Sequence, residues 1–449
     1  MKIALALVLN AALLALLLPW LWRQWQWATV VGWRWVLVSG LALRMGVGVG
    51  RSLPPKLDAG FMSSISDVIT ARLWAAPGSA LHLLTQAVTT FPTLHDGLIV
   101  YQNSSNTWML IKLLALLNLA SLGAGWLNGL YLSIFAFAGC WRLARVMTHR
   151  FPGTPAGAGA VALLFWPAVW FWATGISKEA VLLGSGAWLT ARVLSWLYIE
   201  KNGLDESTPV ARGWGWWAST VALASLHLAM RYFFAVPLLA VLAVLALGRG
   251  LERVLPYRWA AVSGLCVVFG LAGWLGPEVS VAFRLNKFVN QVVRVYSFDL
   301  AKSMDQPHFE YPNLRPTIIS LAAHAPQAVV NTFTQPWLGQ SRQPLYLAAG
   351  LENAVLLLLL ALAGWAQVRG RGGHLPFLVV LALSVFCLLL AFLIGITTPN
   401  LGSLNRYRSV MLPFLLLLLL QNDYAAAALR RLGLYRADAQ PLPGHPPNA

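Results

Sequence analysis

At 449 residues, 58% hydrophobic and only 10% charged, with mean hydropathy +0.65, the chain lies far from soluble proteins, in which roughly a quarter of residues are charged. This composition excludes a soluble enzyme and reads as an all-α polytopic membrane protein embedded in a lipid bilayer. The net charge of +17 is dispersed between apolar runs, which is how membrane topology is encoded, and it excludes nucleic acid as a partner.

Apolar stretches of the ~17–25 residues that span a bilayer fall at 3–22, 27–49, 109–127, 128–147, 156–176, 179–199, 214–230, 232–248, 257–276, 350–367, 375–397 and 409–428. They predict eleven or twelve transmembrane helices in a multi-spanning domain over 1–436. The first leaves through Pro19-Trp20-Leu21-Trp22-Arg23, without the small residues of a cleavage site, and is read as a retained helix. Trp20, Trp22, Trp25 and Trp27 form one interface belt.

Segment 51–108 is an amphipathic first-loop region, too polar to span, with Asp58, Asp67, His82, His95 and Asp96. If 109–127 crosses the membrane, this segment is cytoplasmic; if 109–127 re-enters or lies along the interface, it is external. Arg44, Arg51 and Lys56 favour the inside by the basic-loop rule.

From residue 128 onward, basic groups alternate with unmarked turns. Arg142, Arg145 and Arg150 form one group, Lys201 and Arg212 another, followed by Arg249, Arg253 and Arg258, then Arg369 and Arg371, and finally Arg430, Arg431 and Arg436. Placing them in the cytoplasm puts the turns around 175–179, 230–232 and 400–408, with segment 277–349, on the outer face of a bacterial inner membrane. Lys178, Glu179, Arg231, Arg406 and Arg408 all fall on that face. A charge costs roughly 2.5–3.5 kcal/mol at the bilayer centre, so such residues belong at span ends, in cavities or at working sites.

Segment 277–349, with short helices expected at 279–304 and 316–334, is too poor in apolar residues for its own core and is expected to form an external cap. The proline-rich tail 437–449 is expected to be disordered. Cys140, Cys266 and Cys387 lie in apolar runs and show neither disulfide nor metal spacing. His227, alone on an apolar helix, reads as a packing residue. No phosphate-binding Gly loop, HExxH or GxSxG is present. Any chemistry must come from dispersed carboxylates and cations at the membrane surface.

The most specific stretch runs from Leu164 to Glu179: an aromatic helix exit with Trp166-Pro167 and Phe171-Trp172, a turn at Gly175, then Ser177-Lys178-Glu179 opening the next helix. Ser177 can cap that helix, and its dipole favours Glu179 by ~0.3–1 kcal/mol. This stretch resembles the third-helix exit of bacterial multi-spanning proteins related to GT-C glycosyltransferases, which move a sugar from a polyprenyl-phosphate carrier. The resemblance covers about 51–250, together with Asn405 to Pro413. In that class an Asp of the first external loop serves as catalytic base or metal-linked acid, and the resemblance assigns this role to Asp67, four residues before Ala71. Asp58 and Glu179 are the further acidic candidates. No Tyr follows Asp67 at the family's spacing, and segment 51–108 holds no Asp-Glu or Asp-Asp pair.

The resemblance implies a polyprenyl-phosphate-linked sugar as partner, held by Lys178, Arg231, Arg406, Tyr407 and Arg408. Arg suits phosphate through its bidentate fork. A divalent cation such as Mg²⁺ or Mn²⁺ near Asp58 and Asp67 would suit carboxylate and phosphate oxygens. Two other functions compete. A lipid-linked substrate transporter would need ionisable groups within its spans, where only Lys112 and Arg192 stand out. A non-catalytic component of envelope polysaccharide assembly would explain the missing Tyr and acidic pair.

Overall fold

A chain this apolar must close its backbone hydrogen bonds within itself, and helices do so segment by segment. The computed structural model describes residues 1–53, 58–86, 88–92, 98–102, 105–198 and 213–434. The tail 437–449 lies outside these residues, as do Lys56, His95, Asp96, Lys201, Arg212 and Arg436. In chain order the helices are α1 (Lys2–Val31), α2 (Arg34–Arg51), α3 (Asp58–Ala75) and α4 (Pro77–Thr85). An antiparallel hairpin follows, β1 (Val88–Pro92) with β2 (Leu98–Gln102), then α5 (Asn106–Ser121), α6 (Gly125–Arg150) and α7 (Gly157–Ala160). A π-turn over Val161–Phe165 leads into α8 (Pro167–Trp172), α9 (Lys178–Leu197), α10 (Trp214–Met230), α11 (Tyr232–Leu251) and α12 (Tyr257–Val279). The remaining helices are α13 (Leu285–Ala301), α14 (Ile318–Thr334), α15 (Pro344–Val368), α16 (Phe377–Thr397), α17 (Leu401–Arg408), α18 (Leu412–Leu419) and α19 (Asp423–Arg431).

Each segment expected to be helical is helical, but not each is one long helix. Seven of the described helices (α1, α6, α9, α11, α12, α15 and α16) are long and apolar enough to cross a membrane, and the pair α18 and α19, bent by 101°, makes up to eight. The others are short or broken. α5 has 16 residues and α10 has 17. The run from α7 to α8 breaks where Pro167, lacking an N–H, starts a new helix. The first break falls at Gly32, whose φ of 78° suits glycine, not at 23–26 as the hydropathy suggests. The hairpin was not anticipated.

Side-chain contacts show which face each helix end occupies. Asn10 of α1 bonds to the Ala120 carbonyl (2.8 Å) and to the Tyr131 hydroxyl (2.6 Å), while Gln24 accepts from Trp141 (3.1 Å) and Arg145. α1 and α6 therefore run in parallel. α2 returns, bringing Gly48 against Ser133 and Ser52 against Gly129. Lys178 at the start of α9 bonds to Asn106 and Thr107 at the start of α5 (2.9 and 2.7 Å), and the end of α5 joins the start of α6 through Asn128 and Asn118 (2.6 Å). Both ends of α5 thus lie on the face that carries Lys178, and α5 does not cross. The described residues of segment 51–108 share that face, here called the near face.

The basic-loop rule instead sets Arg44 and Arg51 on the face opposite Lys178, and their surroundings explain the difference. Arg44 is fully buried and donates to the Leu163 and Ala173 carbonyls (2.8 and 2.9 Å), while Arg51 donates to Trp172 and Thr174 carbonyls (3.3 and 3.2 Å). Both arginines satisfy backbone groups that the broken α7–α8 run frees, so neither reports topology.

α6 and α9 pack closely because both present glycine: a Cβ on Gly139 would lie 2.0 Å from the Gly184 carbonyl oxygen. The cap helices α13 and α14 fall within the ranges expected for them. They enclose a small apolar cluster of Val289, Val292, Tyr296, Tyr311, Leu321 and Ala328, completed by Ile396 of α16. The cap lies on the near face, and its core borrows a residue from the bundle.

Candidate functional site

The near-face cluster begins with a helix start. Gly175 adopts φ 66°, and a side chain there would crowd the Gly48 carbonyl and the Ser52 hydroxyl, each 3.1 Å from its Cβ. The Ser177 hydroxyl accepts from the Ala180 N–H (3.1 Å), capping α9 as the sequence suggests. Glu179, in the first turn, is fully buried. Its carboxylate meets Arg406 of α17 at 3.1 Å and Arg231, between α10 and α11, at 3.9 Å. Arg406 also reaches Asp58 at the start of α3 (3.6 Å). The Arg231 guanidinium lies over the Tyr407 ring (3.9 Å) and the Phe234 ring (4.9 Å), a cation–π arrangement that fixes its plane.

Seven of the eight residues singled out from the sequence lie on this one face in or beside the cluster, and six of them form it: Asp58, Lys178, Glu179, Arg231, Arg406 and Tyr407. Arg408, the seventh, is diverted to another task. It is 1% exposed and donates to Asn405 (3.1 Å), the Gln335 carbonyl (2.7 Å) and Asn353 (2.8 Å), with Glu352 as its electrostatic neighbour. It bolts the end of cap helix α14 to α15 through Nε and Nη1 and lies outside the Glu179 cluster, so we assign it no role on phosphate. Burial lowers its pKa to about 10, against Glu352.

Asp67 stands apart as well. It lies on α3 nine residues after Asp58, about 13 Å along the helix axis, and accepts from Asn118 of α5 (2.9 Å). Burial pushes its carboxyl up from the usual range, and the Asn118 bond opposes this. The carboxylate beside the cations is Asp58, whose side chain is 81% exposed. Of the two aspartates, Asp58 is the one that the fold brings to the cations. His227 packs within the bundle, its Nδ1 2.9 Å from Ser185 Oγ, as expected for a packing residue.

The sequence missed four contributors. Arg51, at the end of α2, lies close enough to interact with both Arg406 and Glu179. Asn106 and Thr107 hold Lys178. Asp299 of the cap helix α13 lies within electrostatic reach of Arg231; burial raises its carboxyl, with Lys302 and Arg231 opposing. Only Arg51 carried a signal, being a basic residue at a span end.

The electrostatics favour an anion. Arg51, Lys178, Arg231 and Arg406 outnumber Glu179 and Asp58. Glu179 holds the Arg406 guanidinium in its charged form, raising its pKa. Yet Arg406 Nε and Arg231 Nη1 are buried without a hydrogen-bond partner, so donors remain in a charged, partly enclosed site. The same balance disfavours a divalent cation. Glu179 is neutralised by two arginines, and an ion at Asp58 would face Arg406. Among the described residues no three His, Cys, Asp or Glu stand together to hold a metal. No family model, no curated protein and no solved structure matches the chain.

Proposed function

We propose that the protein is a membrane glycosyltransferase that moves a sugar from a polyprenyl-phosphate carrier to an envelope glycan, lipid or protein acceptor at the outer face of a bacterial inner membrane. The observation that supports this most is the convergence of Lys178, Arg231 and Arg406 around buried Glu179, with the exposed carboxylate of Asp58 beside them. The far face carries Arg145, Arg150, Arg249, Arg253, Arg258, Arg369, Arg371, Arg430 and Arg431, so the basic-loop rule makes the near face external.

In this reading, Arg406 and Arg231 take the carrier's phosphate oxygens and Lys178 adds a third charge. Glu179 does no proton transfer; it aims the two arginines. Asp58 accepts the proton of the acceptor hydroxyl while that oxygen bonds to the anomeric carbon. The carbon–oxygen bond to the phosphate breaks, and the carrier phosphate leaves with the electron pair. A general base of this kind contributes about 10²–10⁴ in rate.

The test is glycan and glycolipid analysis of a deletion strain complemented with Asp58→Asn or Asp67→Asn. Loss of transfer by roughly 10²–10⁴ for Asp58→Asn alone is expected. Full complementation by Asp58→Asn and by Asp67→Asn would remove the carboxylate mechanism and leave a non-catalytic envelope component as the reading. Sidedness is tested separately by labelling a cysteine at exposed Ser64 in a cysteine-free background. Labelling only from the cytoplasm would overturn the outer-face assignment.

A further inference from the structure

The far face holds a second cluster of unbalanced charge, remote from the first. Arg192 lies about 21 Å along α9 from Lys178, at 1.5 Å per residue. That is most of the way across a hydrocarbon core of about 30 Å. Arg192 donates to the Trp216 carbonyl (3.0 Å), Ser219 (2.9 Å) and Thr220 (2.5 Å) of α10, all through one nitrogen. Its Nε is buried without a partner. Arg142 of α6 is close enough to repel it, and among the described residues no carboxylate pairs with either. Arg142 itself is exposed on the bundle wall, with its guanidinium 6.0 Å from the Trp188 ring.

Tryptophans surround this pair. Arg192 lies over Trp216 (5.7 Å), Trp216 packs on Trp217 (4.8 Å), and Trp217 on Trp196 (6.4 Å). Trp prefers the headgroup level of a bilayer, so the two arginines sit at the depth of lipid phosphates. Holding two like charges together there is costly unless an anion joins them. Each guanidinium has N–H groups that no described residue uses, free to donate to phosphate oxygens.

We propose that Arg142 and Arg192, between α6, α9 and α10, form a binding site for the headgroup phosphate of an anionic phospholipid in the leaflet opposite the Glu179 cluster. The acyl chains lie along the apolar wall of α6 and α9. The occupant is a lipid and not a free anion because Arg142 opens onto the lipid-facing wall, not onto an aqueous cavity. The site is independent of the glycosyltransferase reading and stands if that reading fails.

The experiment uses the full-length protein purified into nanodiscs of phosphatidylcholine alone or with phosphatidylglycerol. Native mass spectrometry reads lipid retention. Phosphatidylglycerol should be retained over phosphatidylcholine, and Arg142→Gln should weaken retention by roughly ten-fold, the worth of a lost charged hydrogen bond. Arg142 makes no hydrogen bond to a described residue, so this variant tests the site without testing the fold. Arg142→Glu supplies an independent readout: it turns repulsion from Arg192 into attraction. The variant should therefore melt higher than the parent in phosphatidylcholine and gain nothing from phosphatidylglycerol. Equal retention by parent and Arg142→Gln would overturn the proposal. So would displacement of phosphatidylglycerol by millimolar inorganic phosphate, which would mark a site for the free ion.

Discussion

Arg406 and Arg408 stand two residues apart on the same short helix and do opposite work. Positions two apart on a helix are turned by about 200°, so one guanidinium faces the Glu179 cluster and the other faces the cap. Arg406 keeps 24% of its side chain exposed and meets two carboxylates. Arg408 is 1% exposed, and its partners are mainly carbonyl and amide oxygens. A ligand can compete for the first arrangement because charge there is in excess. The second is buried, and its Nε and Nη1 are already engaged. A charge in an apolar sequence therefore marks a polar environment and does not say which kind.

The contrast breaks most sharply at Arg408. Removing it strands the Gln335 carbonyl, Asn353 and Asn405, and leaves Glu352 without its counter-charge. Losing one partner of a buried charged network typically costs about 3–5 kcal/mol. Arg408→Ala should lower the melting temperature of the detergent-purified protein far more than any change in the Glu179 cluster's exposed members. Arg408→Lys should rescue little, because one ammonium cannot reach partners on α14, α15 and α17 together. An unchanged melting curve for Arg408→Ala would show that the cap is not held by this bolt.

Arg406 should separate function from stability in the other direction. On the proposed function, Arg406→Gln removes a phosphate contact worth about 1.5–3 kcal/mol, or roughly ten- to a hundred-fold in carrier affinity. Melting should fall less than for Arg408→Ala, since Arg231 still faces Glu179. Binding of a polyprenyl-phosphate analogue to the purified variants measures this. Arg406→Gln that binds like the parent would place the phosphate elsewhere.

The comparison also explains what was legible beforehand. Hydropathy located the helical segments because apolar length is what a bilayer selects. It could not tell that α5 returns to the face it left, since a re-entrant helix and a short span have the same composition. The basic-loop rule failed at Arg44 and Arg51 because it counts charges as solvated, and these two are spent on backbone carbonyls of the broken α7–α8 run. The Leu164–Glu179 stretch announced the site because its local signals agreed: a glycine turn, a serine cap and an acidic first turn are all encoded within a few residues. Asp299 was invisible because its link to Arg231 depends on how the cap folds back, and no local pattern carries that.

The smallest effect belongs to Asp67, and it sharpens the choice between the two aspartates. Its carboxyl is raised above the ordinary value of 3.8 by burial, with Asn118 opposing. A raised folded-state pKa means that protonated Asp67 favours the fold. That contribution is present below about pH 3.8 and is lost as pH rises through the folded-state value. At neutral pH the ionised side chain is a slight burden, so Asp67→Asn should be neutral or mildly stabilising. The change should stay within about 0.5 kcal/mol, as for other solvent-facing positions. An asparagine there still offers an oxygen to the Asn118 amide, so the contact between α3 and α5 survives. Transfer activity should be indistinguishable from the parent, and the dependence of melting temperature on pH between acid and neutral buffers should flatten. Loss of transfer in Asp67→Asn with full activity in Asp58→Asn would reverse the assignment and return the base to the position that the family resemblance first suggested.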